Sequence, residues 1–134
     1  MKAISDLITT AEKLGIKKPL IDTCILDVPT LGSACKAIYH VKNEWGLPVG
    51  AGTHNAVATW KGLKKKLGPQ AYMPCTVSAA IMAVSIGADF ILYGPIEDAK
   101  IFFPSIALVD VAYGQLMLEK GERPPTSHPL FKVA

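Results

Sequence analysis

Long uninterrupted apolar runs are missing from this chain. None approaches the about 18 residues that a bilayer crossing needs, so nothing in the sequence is expected to span one. A signal-peptide pattern is missing too, because Lys2 is followed by Asp6, Glu12 and polar threonines. Cysteine is scarce: Cys24, Cys35 and Cys75 form no CxxC pair and leave an odd one over. That argues against a disulfide framework and against a structural metal site, and no metal is expected. Each cysteine lies in an apolar segment, where a reduced thiol behaves as a small hydrophobe, so a reducing, cytoplasmic setting is expected. Neither sign of charge dominates, and the formal net charge of +3 is too mild for a nucleic-acid groove. The one basic cluster, Lys61 with Lys64, Lys65 and Lys66, reads as the solvated side of a helix rather than an anion or partner patch. There is no HExxH, no GxSxG and no P-loop.

What is present is an alternation of helical and strand patterns. Ile4, Leu7, Ile8, Ala11 and Leu14 recur at helical spacing, and Gly15 supplies a stop. Pro19 introduces an apolar run of strand length, Leu20 to Leu26, with Asp22 inside it. Pro29 and Thr30 open a second helix, with Leu31, Ala34, Cys35, Ile38 and Trp45 as its stripe and Gly46 as its end. A short strand near Pro48–Ala51 runs into Gly52, Thr53, His54 and Asn55. A third helix carries Val57, Trp60, Leu63 and Leu67, and Gly68-Pro69 closes it. The alanine-rich stretch from Cys75 to Ile86 predicts a buried helix, and Asp89–Tyr93 a third strand. After Gly94-Pro95 and an acidic turn, Ser105 is expected to cap a last helix that runs to Gly121, ahead of a proline-bearing surface tail.

Strand–helix alternation means a parallel sheet built by right-handed crossovers. The expected fold class is therefore α/β, with residues 1–134 forming a single unit. The strands are apolar on both parities, which fits helices on one side and barrel-filling side chains on the other. About 250 residues make a whole (β/α)₈ barrel. A chain of 134 residues with about three strands is therefore expected to be part of one, incomplete on its own, with edges open to another chain. A complementary barrel half or a second copy of the chain is the expected cover.

Two residues stand out as chemical candidates. A carboxylate within an apolar strand is costly unless something hydrogen-bonds to it, so Asp22 is either a satisfied structural acid or an acceptor for a ligand with a guanidine-like edge. Asn55 stands where a strand ends and a helix begins, as a plain helix N-cap or as a residue of the face where βα loops gather. His54 reads as a loop residue, and Gly50-Ala51-Gly52 could let backbone N–H groups approach a phosphate. Asp27, Glu97 and Asp98 lie at or after strand ends, where capping or first-turn roles account for them.

The segment Ile21-Asp22-Thr23-Cys24-Ile25-Leu26-Asp27-Val28-Pro29 resembles a motif of the tetrahydromethanopterin S-methyltransferase H-subunit family. Gly87 to Ala99 resembles that family's last strand and the turn after it, and Leu47-Pro48-Val49-Gly50 followed by Asn55 also fits. The resemblance runs from about the first helix to Leu130 and implies the C-terminal portion of a TIM barrel. It further implies methyl transfer between N5 of a reduced pterin, tetrahydromethanopterin or tetrahydrofolate, and the cobalt of a corrinoid carried by a partner protein. By the same resemblance Asp22 would bind the pterin ring, and Asn55 would bind substrate and act catalytically near N5. A related pterin-binding family reads "GLSN" where this chain has Gly52-Thr53-His54-Asn55, a departure that bears on Asn55 more than on Asp22. The family also implies cytoplasmic residence at the periphery of a membrane complex. Two other readings stand beside it. One is a noncatalytic interaction subunit of a methyltransferase complex, and the other is a phosphate-binding barrel enzyme.

Overall fold

A computed structural model describes residues 2–133. Helix α1 (Lys2–Lys13) leads into strand β1 (Ile21–Asp22), helix α2 (Val28–Trp45) and strand β2 (Val49–Ala51). Two short helices follow, α3 (His54–Ala58) and α4 (Leu63–Leu67), and then a 3₁₀ turn at Pro69–Ala71 that runs directly into α5 (Tyr72–Ser85). Strand β3 (Phe90–Ile91), a second 3₁₀ turn (Ile96–Asp98), the long α6 (Ala99–Glu119) and a terminal α7 (Leu130–Val133) complete the order.

The sheet is parallel throughout, in the order β1-β2-β3. Strands that neighbour in sequence and in space, joined by crossovers of one hand, put every connecting helix on the same face. The packing agrees: Ile21, Val49, Ala51 and Ile91 point into one core with Ala34, Cys35, Ile38 and Val41 of α2, Ala56 and Val57 of α3, and Ala79 and Ala83 of α5. The register places Asp22, Gly50 and Phe90 side by side on the opposite face, because strand side chains alternate. The core residues of α2, α3 and α5 lie on the other side, and in this row Asp22 is exposed, Phe90 half-buried and Gly50 buried.

Local chemistry explains several boundaries. Asp27 is the N-cap of α2, its side chain accepting from Thr30 N at 3.0 Å while Thr30 Oγ1 accepts from Asp27 N at 2.9 Å. This reciprocal cap, with Pro29 in the first turn, gives the Leu26-Asp27-Val28-Pro29 stretch a mechanical meaning. At the other end of the sheet, Asp89 N donates to Val49 O at 2.7 Å and Asp89 Oδ2 accepts from Val49 N at 2.9 Å. Lys42 of α2 pairs with the same carboxylate. Since Val49 is fully buried, Asp89→Ala leaves an interior N–H without a partner, and a loss of about 1–3 kcal/mol is expected. Asp89→Asn keeps an acceptor, so chemical denaturation should show it recovering much of that loss. Equal losses in both variants would assign the effect to Lys42 instead.

Four expectations need correction. The predicted third helix is broken into α3 and α4, because Thr59 to Gly62 form turns rather than a continuous helix. Ser105 does not cap the last helix, which begins at Ala99; it lies inside, its Oγ donating to Ile101 O at 2.7 Å. Cys24 is exposed rather than core, and holds a left-handed φ of 58°, whereas Cys35 is buried and burial pushes its thiol pKa up. Finally, Ile96–Glu119 is long and apolar enough to cross a membrane by length and composition alone. Pro104 and Asp110 lie within it and interrupt its apolar run. Phe103 and Leu108 on α6 are 65% and 70% exposed, so much of its apolar surface has no cover within this chain.

Candidate functional site

The C-terminal ends of the strands carry the chain's polar side chains of interest. Just past β1, Asp22 Oδ1 accepts from Cys24 N at 2.8 Å, closing a tight turn that holds Cys24 in its left-handed conformation. Oδ2 has no hydrogen-bond partner among the described residues. The acid is thus satisfied on one oxygen by its own loop and presents the other on the uncovered face of the sheet.

Past β2 the chain passes through Gly52 and Thr53 into α3. The N-cap position expected for Asn55 belongs instead to Thr53, which makes no side-chain cap bond. Asn55 lies inside the first turn, and its Nδ2 donates to Ile25 O at 3.1 Å. A carbonyl can only accept, so the amide must present its nitrogen to Ile25. The second amide hydrogen and Oδ1 have no partner among the described residues. His54 reaches the other way. Its Nδ1 lies 3.2 Å from Leu92 O in the loop after β3, which places the proton on Nδ1 and leaves Nε2 as the free nitrogen. Adjacent residues at the start of α3 therefore tie together the loops that follow all three strands.

The His54 ring packs on Gly94, where a Cβ would lie 3.3 Å from Cγ of the imidazole. Gly94 has φ 106°, a conformation that L side chains rarely adopt. The positive φ and the close approach of the His54 ring are why a glycine follows Tyr93. The Thr53 Oγ1 is fully buried without a partner among the described residues, an unusual state for a hydroxyl.

The structure thus draws Asn55 and His54 into one constellation and places Asp22 on the same end of the sheet. Glu97 and Asp98 remain outside it, in the 3₁₀ turn ahead of α6. Asp27 is spent on its cap. In sequence His54 is an ordinary loop residue; only the packing of two loops distant in the chain reveals its link to Leu92. No group of His, Cys, Asp and Glu among the described residues could hold a metal ion.

Comparison with known proteins adds a second line. The family model described as "Tetrahydromethanopterin S-methyltransferase MtrH subunit" matches residues 1–124. The H subunit of tetrahydromethanopterin S-methyltransferase from Methanothermobacter thermautotrophicus is 36% identical over 130 residues, covering 95% of this chain and 42% of the relative. Its counterpart in Methanosarcina acetivorans is 36% identical over 135 residues, covering 95% and 43%. That of Methanococcus maripaludis strain S2 is 35% identical over 139 residues, covering 95% and 44%. The chain spans less than half the length of the curated relatives it matches.

Proposed function

The chain belongs to the tetrahydromethanopterin S-methyltransferase MtrH subunit family, and from that premise we propose that it is the C-terminal sector of a (β/α)₈ barrel methyltransferase. The reaction proposed is methyl transfer between N5 of a reduced pterin, tetrahydromethanopterin or tetrahydrofolate, and a corrinoid cobalt. The corrinoid is held by a partner protein that docks on the βα loops, with the assembly at the periphery of a membrane complex.

The observation that carries the proposal is Asp22, exposed at a strand end on the face turned away from the core helices. A barrel interior needs a sheet face turned away from the helices and a polar group at the strand ends, and this arrangement supports that reading. Asp22 Oδ2 suits the guanidine-like edge of a pterin ring, a positioning role. The partner's corrinoid, when bound and reduced, would supply the nucleophilic electron pair that takes up the methyl group. When the methyl carbon leaves, the C–N electrons stay on N5, so a hydrogen-bond donor or proton at that atom lowers the barrier. Asn55 is suited to that task by its unused N–H, with Ile25 O fixing the amide plane. The earlier barrel strands supply the remaining walls of the site.

The test is complementation. The chain is assembled with a polypeptide carrying the family's preceding strands, then given methylated pterin and free cob(I)alamin. Formation of methylcobalamin by the assembled pair, and none by either part alone, is the expected result. Failure of the folded pair to bind any reduced pterin overturns the proposal and leaves a noncatalytic subunit as the reading.

A further inference from the structure

The sheet stops at β3 on one side. β3 pairs with β2 alone, and no strand lies along its other edge among the described residues. A cleft of about 380 Å³ opens between this strand and α6, walled by Ile91, Tyr93, Phe103, Ile106 and Ala107, with Asp110 among them. Tyr93 stacks on Phe102 at 5.0 Å between ring centroids and meets Phe103 edge-on at 5.9 Å, which fixes one wall. Phe103, Ile106, Ala107 and Asp110 recur at three- and four-residue intervals, so they share one face of α6. Asp110 is half-buried on that face. Its side chain has no ion-pair or hydrogen-bond partner among the described residues, where the ion pairs are His40–Glu44 and Lys42–Asp89. A carboxylate in apolar company is costly unless a donor or cation reaches it. Farther along α6 the chain supplies its own cover, for Gly114 lies under the His128 ring, where a Cβ would meet Cε1 at 2.7 Å. That cover stops at Pro129, on the rim of the cleft.

We propose that this cleft and the free edge of β3 are the docking surface for the first strand unit of the family's preceding portion, and that a lysine or arginine near the start of that strand pairs with Asp110. The inference rests on the barrel reading above and names the surface and the charge by which the two portions recognise each other. The chain covers 42% and 43% of two curated relatives, so more than half of each remains to supply this occupant. A strand added in parallel to β3 lies about 4.8 Å farther on, and its outward side chains then fall beside Ile91 and Tyr93, beneath α6. The cleft thus continues the interface that β3 and β2 already make with the helices. Because α6 leaves the C-terminal end of β3 and runs back along it, Asp110, about two turns beyond Phe103, lies toward the start of the added strand. Apolar walls alone accept many surfaces. The acid adds the demand for a cation at one register, which separates the right partner from a merely greasy one.

The experiment co-expresses the tagged chain with the portion of the Methanothermobacter thermautotrophicus H subunit that this chain does not match. The purified pair is then followed by sedimentation over a dilution series. Ala107→Trp fills the cleft and should weaken the pair by more than about tenfold. Asp110→Lys should do the same by setting cation against cation, and Asp110→Asn should weaken it about fivefold. Leu108→Trp, on the 70% exposed side of α6, should change nothing. Thermal unfolding checks each variant chain, and Asp110→Asn, which conserves shape, keeps the test open if Ala107→Trp does not fold. No wild-type pair, or a pair equally tight with Ala107→Trp and with Asp110→Lys, overturns the docking surface. So does a chain that associates with itself and loses that association through the same substitutions, because the cleft is then a contact between copies. Reduced pterin separates this inference from the reading beneath it. A pair that depends on the cleft but binds no pterin keeps the docking surface and loses the methyl transfer, whereas a pterin-binding pair indifferent to the cleft does the reverse.

Discussion

On the proposed function, Asp22→Asn in the completed barrel should weaken reduced-pterin binding by about 5- to 150-fold while leaving the fold intact. The reasoning follows the two oxygens separately. Oδ1 accepts from Cys24 N, and an asparagine oxygen can take over that bond, so the turn after β1 survives. The position of Oδ2 then becomes an NH₂ group. Facing the N–H donors of a pterin edge, it sets donor against donor and loses a contact worth about 1–3 kcal/mol. Asp22 is exposed, so charge loss by itself has little effect on stability. Asp22→Ala separates the two roles, since it removes the Cys24 bond as well and should lower the melting temperature. Titration alongside thermal unfolding reads both. Unchanged pterin affinity in a folded Asp22→Asn protein would remove the residue from the binding site.

Gly50→Ala is expected to cost about 3 kcal/mol and to lower the melting temperature by roughly 10 °C. Gly50 is the central residue of β2, paired with Asp22 on one side and Phe90 on the other. A Cβ there would run into the backbone carbonyl of Phe90 and lie 2.8 Å from its ring. Rotating the ring away relieves only part of the clash. Trimming it in a Gly50→Ala, Phe90→Ala double variant should therefore not restore stability, because the carbonyl stays where β3 places it. Full recovery in the double variant would show that the ring alone excludes a side chain. A Gly50→Ala protein as stable as wild type would mean that β2 and β3 do not approach as described.

The parallel α/β alternation is legible in the sequence because its signals are local. Gly15 and Gly46 follow the last residues of α1 and α2 closely, and Asp27 with Thr30 marks the start of α2 through a cap that operates within a few residues. Strand positions are legible in the same way, but strand lengths are not: only Ile21–Asp22 pairs within Leu20–Leu26. Ladder length depends on the neighbouring strand, and Cys24, in its left-handed conformation, cannot continue a ladder. The split of α3 from α4 is hidden because Val57, Trp60, Leu63 and Leu67 keep a helical spacing of three to four across a turn. Ser105 misleads for a similar reason. A serine after a proline reads as a cap, yet the helix is already under way and the hydroxyl bonds back to Ile101.

At the candidate site the residue types are legible and their neighbours are not. Asp22 stands out as a lone acid in apolar company, though its exposure follows only from the uncovered sheet face. Asn55 and His54 are visible as polar residues at a strand end. Their partners, Ile25 and Leu92, lie in other loops and contribute backbone carbonyls, which no side-chain pattern announces.

The sequential order of the sheet also bears on how such a protein comes to be made. Among the described residues β1 pairs with β2 and β2 with β3, so each pairing closes a loop spanning a single crossover. Loop closure costs more entropy as the loop lengthens, but only slowly, and contacts of short separation form fastest. A nascent chain can therefore add one strand and its helix at a time, each new unit templated on the unit just finished. In the proposed barrel, the joining of first strand to last is the one step that must wait for the whole. On that reading, three strands with their helices correspond to one stage of such growth.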